Sequence, residues 1–192
     1  MSFLTIGGAP GAPSTRRSFV VRSGALLSGA AVALLAGRDA LAARAASPAE
    51  GDVRVLNAAL AAEFEAVAAY GLGVASGLLQ PPVRALAQTF QGHHREHADL
   101  LAKTVARLGG APAAAKAEYA FPTESLATQA DVLRFAAKLE QGAVSAYLGA
   151  VPLFADRDLA KAAASILGDE AMHWAVLRQA LGEVPVPSAF VA

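Results

Sequence analysis

Three observations predict an all-α protein, a four-helix bundle made of two antiparallel hairpins joined by one long crossover. Apolar residues recur at spacings of three and four in four separate stretches after Ser47. Short breaks link the first stretch to the second and the third to the fourth, whereas the segment from Gly109 to about Thr128 has no periodic pattern. Each apolar seam is also interrupted, at matching depth, by residues that a core seldom holds: Glu63 and Tyr70, His94 and His97, Glu140 and Tyr147, Glu170 and His173.

The first helix is expected to open at Ser47-Pro48-Ala49-Glu50, where Ser suits an N-cap, Pro suits the first turn and Glu50 stands at capping-box spacing. Its seam reads Val53, Leu56, Leu60, Glu63, Val67, Tyr70 and Val74. Glu65 falls on the other side and reads as a solvated charge. Pro81-Pro82 ends the first hairpin turn and starts the second helix, since Pro is tolerated only in a first turn. Leu86, Phe90, His94, His97, Leu101, Val105 and Leu108 form that seam, and Gly109-Gly110 stops it. The long irregular segment then lets the second hairpin cross the bundle. A third helix, from about Gln129 to Leu153, carries Glu140 and Tyr147 at the same two-turn offset as Glu63 and Tyr70. Asp156 or Asp158 caps the fourth helix, which runs to about Leu181 before Gly182, and Pro185 and Pro187 leave an extended tail over 185–192.

The chemistry is concentrated in Glu170-Ala171-Met172-His173. Residues three apart project from one helical face, and that face also carries Leu159, Ala163, Ile166, Leu177 and Leu181. An unpaired carboxylate there would cost several kcal/mol, and a metal ion is the usual compensation. Periodicity alone does not choose between the adjacent His93 and His94 as partner of His97. The spacing of three used by the fourth helix selects His94, leaving His93 at the helix boundary beside an outer carboxylate.

Before Ser47 the chain holds Arg16, Arg17, Arg22, Arg38 and Arg44 against Asp39. Arg16 and Arg17 precede a short apolar run from Gly24 to Gly37 and small-residue sites such as Ala40-Leu41-Ala42. Basic segment, apolar run and small-residue site make a secretory signal, and the arginine pair resembles the twin-arginine type. Residues 1–46 are therefore expected to be recognised by the export machinery in the precursor and cleaved off, leaving a periplasmic bundle over 47–184 with no stable membrane span. Formal charge is zero over the chain, but the mature part keeps 11 of the 16 basic and 15 of the 16 acidic residues. With no basic patch, nucleic acid is excluded as a partner. Cysteine is absent, which rules out thiolate metal sites and disulfides. Nitrogen and oxygen ligands alone suit iron, manganese or zinc.

With these residues in place, the chain resembles the ferritin-like proteins of the exported bacterial kind. A Glu from each of two helices plus a Glu-x-x-His from each of the other two is the ligand pattern of ferritin-like di-iron carboxylate bundles. The resemblance covers roughly Ser47 to Gly182 and implies two metal ions, iron first and manganese or zinc as alternatives. It assigns Glu63, His97, Glu140, Glu170 and His173 as ligands, and Asp169 as an outer carboxylate that orients an imidazole. His94 departs from the pattern, standing where the family has a bridging Glu. A neutral imidazole offers one lone pair to one metal, so a bridge and a negative charge are lost.

The resemblance implies an oxidoreductase acting on peroxide, dioxygen or ferrous iron, with Tyr70 or Tyr147 as candidate catalytic hydrogen-bond donors, and a homodimer by analogy. Two other readings accompany it: a non-enzymatic stress-associated bundle with a degenerate site, and a mono-zinc hydrolase drawing three ligands from the same set.

Overall fold

The computed structural model describes residues 47–191. The expected signal segment, 1–46, and the last residue of the expected tail lie outside the described residues. Within them the chain forms four α-helices, α1 (Pro48–Ala75), α2 (Pro81–Arg107), α3 (Gln129–Ala150) and α4 (Arg157–Ala180), with short 3-10 turns at Thr123–Ser125 and Val151–Leu153. No strand occurs among the described residues.

The expected caps form. Ser47 accepts from the Glu50 amide while the Glu50 side chain accepts from the Ser47 amide, a complete capping box that fixes where α1 begins. Thr128 and Asp131 repeat the device at α3. Of the two candidates for α4, Asp156 is the cap, accepting from the amides of Asp158 and Leu159.

The α1 and α2 pair forms one hairpin and α3 and α4 the other, with α1 also meeting α3. Gln80 at the first turn donates its amide to the Gln129 side chain, 2.8 Å away, at the start of α3. At the opposite end, Ala155 and Asp156 donate their amides to the Asp52 carboxylate near the start of α1, at 2.8 and 3.0 Å. So α3 runs antiparallel to α1, and the segment after Gly109 must travel the length of the bundle to reach it. Asn57 holds the start of that crossover, donating to the Ala111 carbonyl and accepting from the Ala113 amide. Gly109 (φ +79°) turns the chain out of α2, and Gly110 passes so near α1 that a Cβ would sit 2.6 Å from a Val53 methyl.

One detail of the expected seam changes. Val53, Val67 and Val74 are only half-buried, and the interior face of α1 uses Ala66, Ala69 and Gly73 instead. The reason is close approach to α3: a Cβ on Gly73 would meet a Val132 methyl at 3.1 Å. Two apolar clusters result, one around Leu60, Val105, Ala163 and Ile166, the other around Tyr70, Phe90, Leu133 and Leu177. The polar residues of all four helices lie between them. α1 is also, among the described residues, the one helix long and apolar enough to cross a membrane by length and composition. Its buried face carries the carboxylates of Asp52 and Glu63.

Candidate metal centre

Each helix contributes to the polar layer because its polar residues occupy seam positions, where the apolar neighbours on either side drive the face inward. Glu140 and Glu170 have no exposure, His94 has 1%, His173 2% and Glu63 3%. His97 is slightly more open at 14%. Ligand-type atoms of Glu63, His94, His97 and Glu170 converge within 4.8 Å of one another, and so do those of His94, Glu140, Glu170 and His173. These are two adjoining groups that share His94 and Glu170. All six residues expected as ligands fall in them.

His94 lies between the groups. Its Nδ1 is 2.8 Å from Glu63 Oε2 and its Nε2 3.2 Å from Glu140 Oε1. His97 Nδ1 stands 3.1 Å from Glu170 Oε1, and His173 Nδ1 stands 3.5 Å from Glu140 and 3.4 Å from Glu170. The tyrosines cross the bundle. Tyr70 of α1 donates to Glu140 of α3, and Tyr147 of α3 donates to Glu63 of α1 at 2.5 Å. Burial and the adjacent carboxylates hold both phenols well above their ordinary value, so they stay protonated as donors.

Without a metal the layer neutralises itself through imidazolium. Burial alone would pull the histidines down, but the surrounding carboxylates outweigh it, pushing His94 up to about 11 and His97 and His173 up to about 9. Burial likewise works to raise Glu140, and His173 and His94 overcome it, holding this carboxyl at about 2. The signs set a pH window. The imidazolium contributions are complete below the ordinary 6.5 and disappear as pH climbs through about 9 to 11, while that of Glu140 is present above the ordinary 4.5 and lost as pH falls through about 2. Metal-free protein is therefore expected to melt highest between 4.5 and 6.5. Metal must displace those protons, so loaded protein should gain stability as pH rises from that window. Thermal melts across pH, with and without chelator, check whether the two forms respond in opposite directions.

The residues fit a metal. Glu140 Oε2, both oxygens of Glu170 and the Nδ1 atoms of His97 and His173 are buried without a hydrogen-bond partner. Orphaned polar atoms of this kind are costly in a folded core. All five belong to the two groups, and carboxylate with imidazole is a donor set for borderline divalent ions.

Asp169, expected to orient one imidazole, reaches three. Its Oδ2 lies 3.2 Å from His173 Nε2, 3.4 Å from His97 Nε2 and 3.2 Å from His93 Nδ1. His93 sits at the α2–α4 boundary, its Nδ1 2.9 Å from His173 Nε2. The sequence did not point to Asp52, whose buried carboxylate fastens the α3–α4 corner rather than the centre. Nor did it point to Phe90 as a partner of the site, although Phe90 stacks on the His173 ring at a centroid distance of 4.0 Å. An aromatic one turn before a histidine pair was the available signal.

Comparison with known proteins agrees with this architecture. A model of the ferritin-like domain matches residues 51–183. The fold is similar to the crystal structure of a conserved hypothetical protein, rv2844, from Mycobacterium tuberculosis, with 26% identity and a TM-score of 0.65 over 75% of this chain and 99% of that one. It is also similar in fold to ferritin-like, diiron-carboxylate proteins from Bacillus anthracis str. Ames, with 19% identity and a TM-score of 0.62 over 71% of this chain and 99% of that one. No curated protein matches it. With the domain match covering most of the chain and the bundle built accordingly, the protein belongs to the ferritin-like domain family.

Proposed function

We propose that this protein holds two divalent ions in the buried layer, iron first and manganese as the alternative, and acts as an oxidoreductase on peroxide, dioxygen or ferrous iron; zinc, which has no redox chemistry, would fill the layer without that activity. The observation that carries the reading is the set of buried carboxylate and imidazole atoms left without partners, all directed into two adjoining groups. A fold shared with a protein described as ferritin-like and diiron-carboxylate supports the choice of iron. Iron or manganese would supply the redox chemistry of the layer.

The chain's own residues have separable tasks. Glu63, His97 and Glu170 would hold one ion, and Glu140, His173 and Glu170 the other, with His94 between them. Tyr70 and Tyr147 each occupy one oxygen of a carboxylate by hydrogen bonding, which fixes the carboxylate plane; the second oxygen of Glu140 has no partner, and that of Glu63 meets His94 Nδ1. Asp169 Oδ2 stands 3.4 and 3.2 Å from the outward Nε2 atoms of His97 and His173, a carboxylate placed to favour the tautomer that presents Nδ1 inward. Phe90 and the surrounding apolar clusters exclude bulk water from the layer.

Elemental analysis of protein purified without chelator, paired with assays of peroxide and ferrous-ion consumption, tests the reading. Up to two ions per chain and consumption that chelation abolishes are expected. Metal content indistinguishable from zero would remove the oxidoreductase reading.

The compartment proposed is the periplasm, supported by Arg16 and Arg17 ahead of a short apolar run. Fractionation with N-terminal sequencing should find mature protein starting near Ser47, and lysine in place of both arginines should retain precursor in the cytoplasm. An intact Met1 on exported protein would contradict cleavage.

A further inference from the structure

On the solvent side of His97 and His173 lies a group of donors of which the buried centre uses only His173. His93, Asp169 and His173 offer ligand atoms within 4.8 Å of one another, with His93 Nδ1 2.9 Å from His173 Nε2 and 3.2 Å from Asp169 Oδ2. Exposure falls along the group from 40% at His93 to 25% at Asp169 and 2% at His173, leading from water into the core. We propose that His93 and Asp169 form an outer docking site for a divalent cation, and that metal reaches the buried centre from it through His97. The proposal rests on the buried centre described above.

An imidazole and a carboxylate give the same nitrogen and oxygen donor set as the interior, so an ion suited to one site suits the other. Two protein ligands with water completing the shell hold an ion weakly enough to release it. His97 is the better conduit of the two inner imidazoles. Phe90 stacks on the His173 ring at 4.0 Å, and the His93 ring lies 5.1 Å from it. His97 meets His94 only edge-on at 6.0 Å, and it presents Nε2 to Asp169 at 3.4 Å and Nδ1 to Glu170 at 3.1 Å. Both rings thus face both compartments, and among the described residues that of His97 carries no stacked partner and is the more exposed, at 14% against 2%. The other approach, a crevice between α1 and α3 lined by Ala59, Ala62, Ala66, Ala143 and Ala146, is apolar outside the centre except for Glu65. A hydrated ion finds little there to replace its water.

The test uses the metal-free mature protein with Co(II) as the probe, following the visible absorption of the buried centre by stopped flow and stoichiometry by equilibrium titration. His93→Gln keeps a hydrogen-bonding side chain beside Asp169 but removes the imidazole; His93→Ala removes both. Both variants are expected to load about tenfold more slowly or worse, within the range that losing an outer partner costs in metal affinity, while reaching the wild-type final stoichiometry and spectrum. A merely structural role for His93 would be restored by Gln. Wild-type loading rates in both variants overturn the proposal. Failure of the buried centre is distinguishable, because Glu170→Ala would then titrate like the wild type. In that case the outer site stands only if His93→Gln abolishes the remaining Co(II) binding, and it falls if the binding survives.

Discussion

Replacing Glu170 with Ala is expected to empty the centre. Glu170 has no exposure, neither of its oxygens has a hydrogen-bond partner, and it is one of two residues shared by both ligand groups. Losing it removes a donor from each ion at once, so affinity should fall by more than the roughly 10–100-fold typical for an outer partner. Metal content should drop from up to two ions per chain to one or none. The metal-free fold should also weaken, by about 3 kcal/mol, since the substitution leaves His97 and His173 facing a void where their counter-charge stood. Glu170→Gln keeps the volume and separates the two effects: metal is lost while most of the packing remains. Elemental analysis and urea denaturation of the three proteins give the comparison. Unchanged metal in both variants would place the centre elsewhere.

The second large effect is expected at His94, the one interior position that departs from the family's ligand pattern. It is 1% exposed and its two nitrogens address carboxylates of different hairpins, Glu63 on α1 and Glu140 on α3. His94→Ala should therefore reduce metal content sharply, whereas His93→Ala should leave equilibrium content near that of the wild type. His94→Glu should do the opposite to the loaded and metal-free forms. Metal-free, it adds a fourth buried carboxylate to the layer and removes an imidazolium that offsets the others, so the fold loosens. Loaded, it supplies two oxygens that can serve both ions, and each hundredfold gain in affinity adds about 2.7 kcal/mol once metal is in excess. The gap between melting temperatures with and without chelator should widen in this variant. A metal deficit confined to the His93 variant would reverse the register assignment of the two histidines.

The bundle was legible because its signals are local. Capping chemistry at Ser47, proline at 81 and 82, and glycine at 109 and 182 mark element ends, and seam periodicity marks the elements. The candidate site was legible for a related reason: a Glu or His on an apolar stripe is visible without knowing what it faces. What it faces is not. Tyr70 pairs with Glu140 and Tyr147 with Glu63, although each tyrosine lies two turns from a Glu on its own helix. That exchange depends on how α1 and α3 lie across the bundle, a relation between segments far apart in the chain. Asp169 reaches three imidazoles and Phe90 stacks on one for the same reason, and the small residues of α1 that let it approach α3 look like ordinary helix formers until Val132 is placed against Gly73.

The crosswise tyrosines have a consequence for how the chain unfolds. Each hairpin can form from contacts near in sequence, but neither contains a complete ligand group, because both groups draw on α4 together with α2. Assembly of the layer therefore belongs to the docking of one hairpin on the other, after the crossover has been closed at the entropic cost of a long loop. Interactions made that late act chiefly on the rate of leaving the native state. Bound ions would work as a latch between two preformed halves, lengthening the lifetime of the folded protein far more than they hasten its formation.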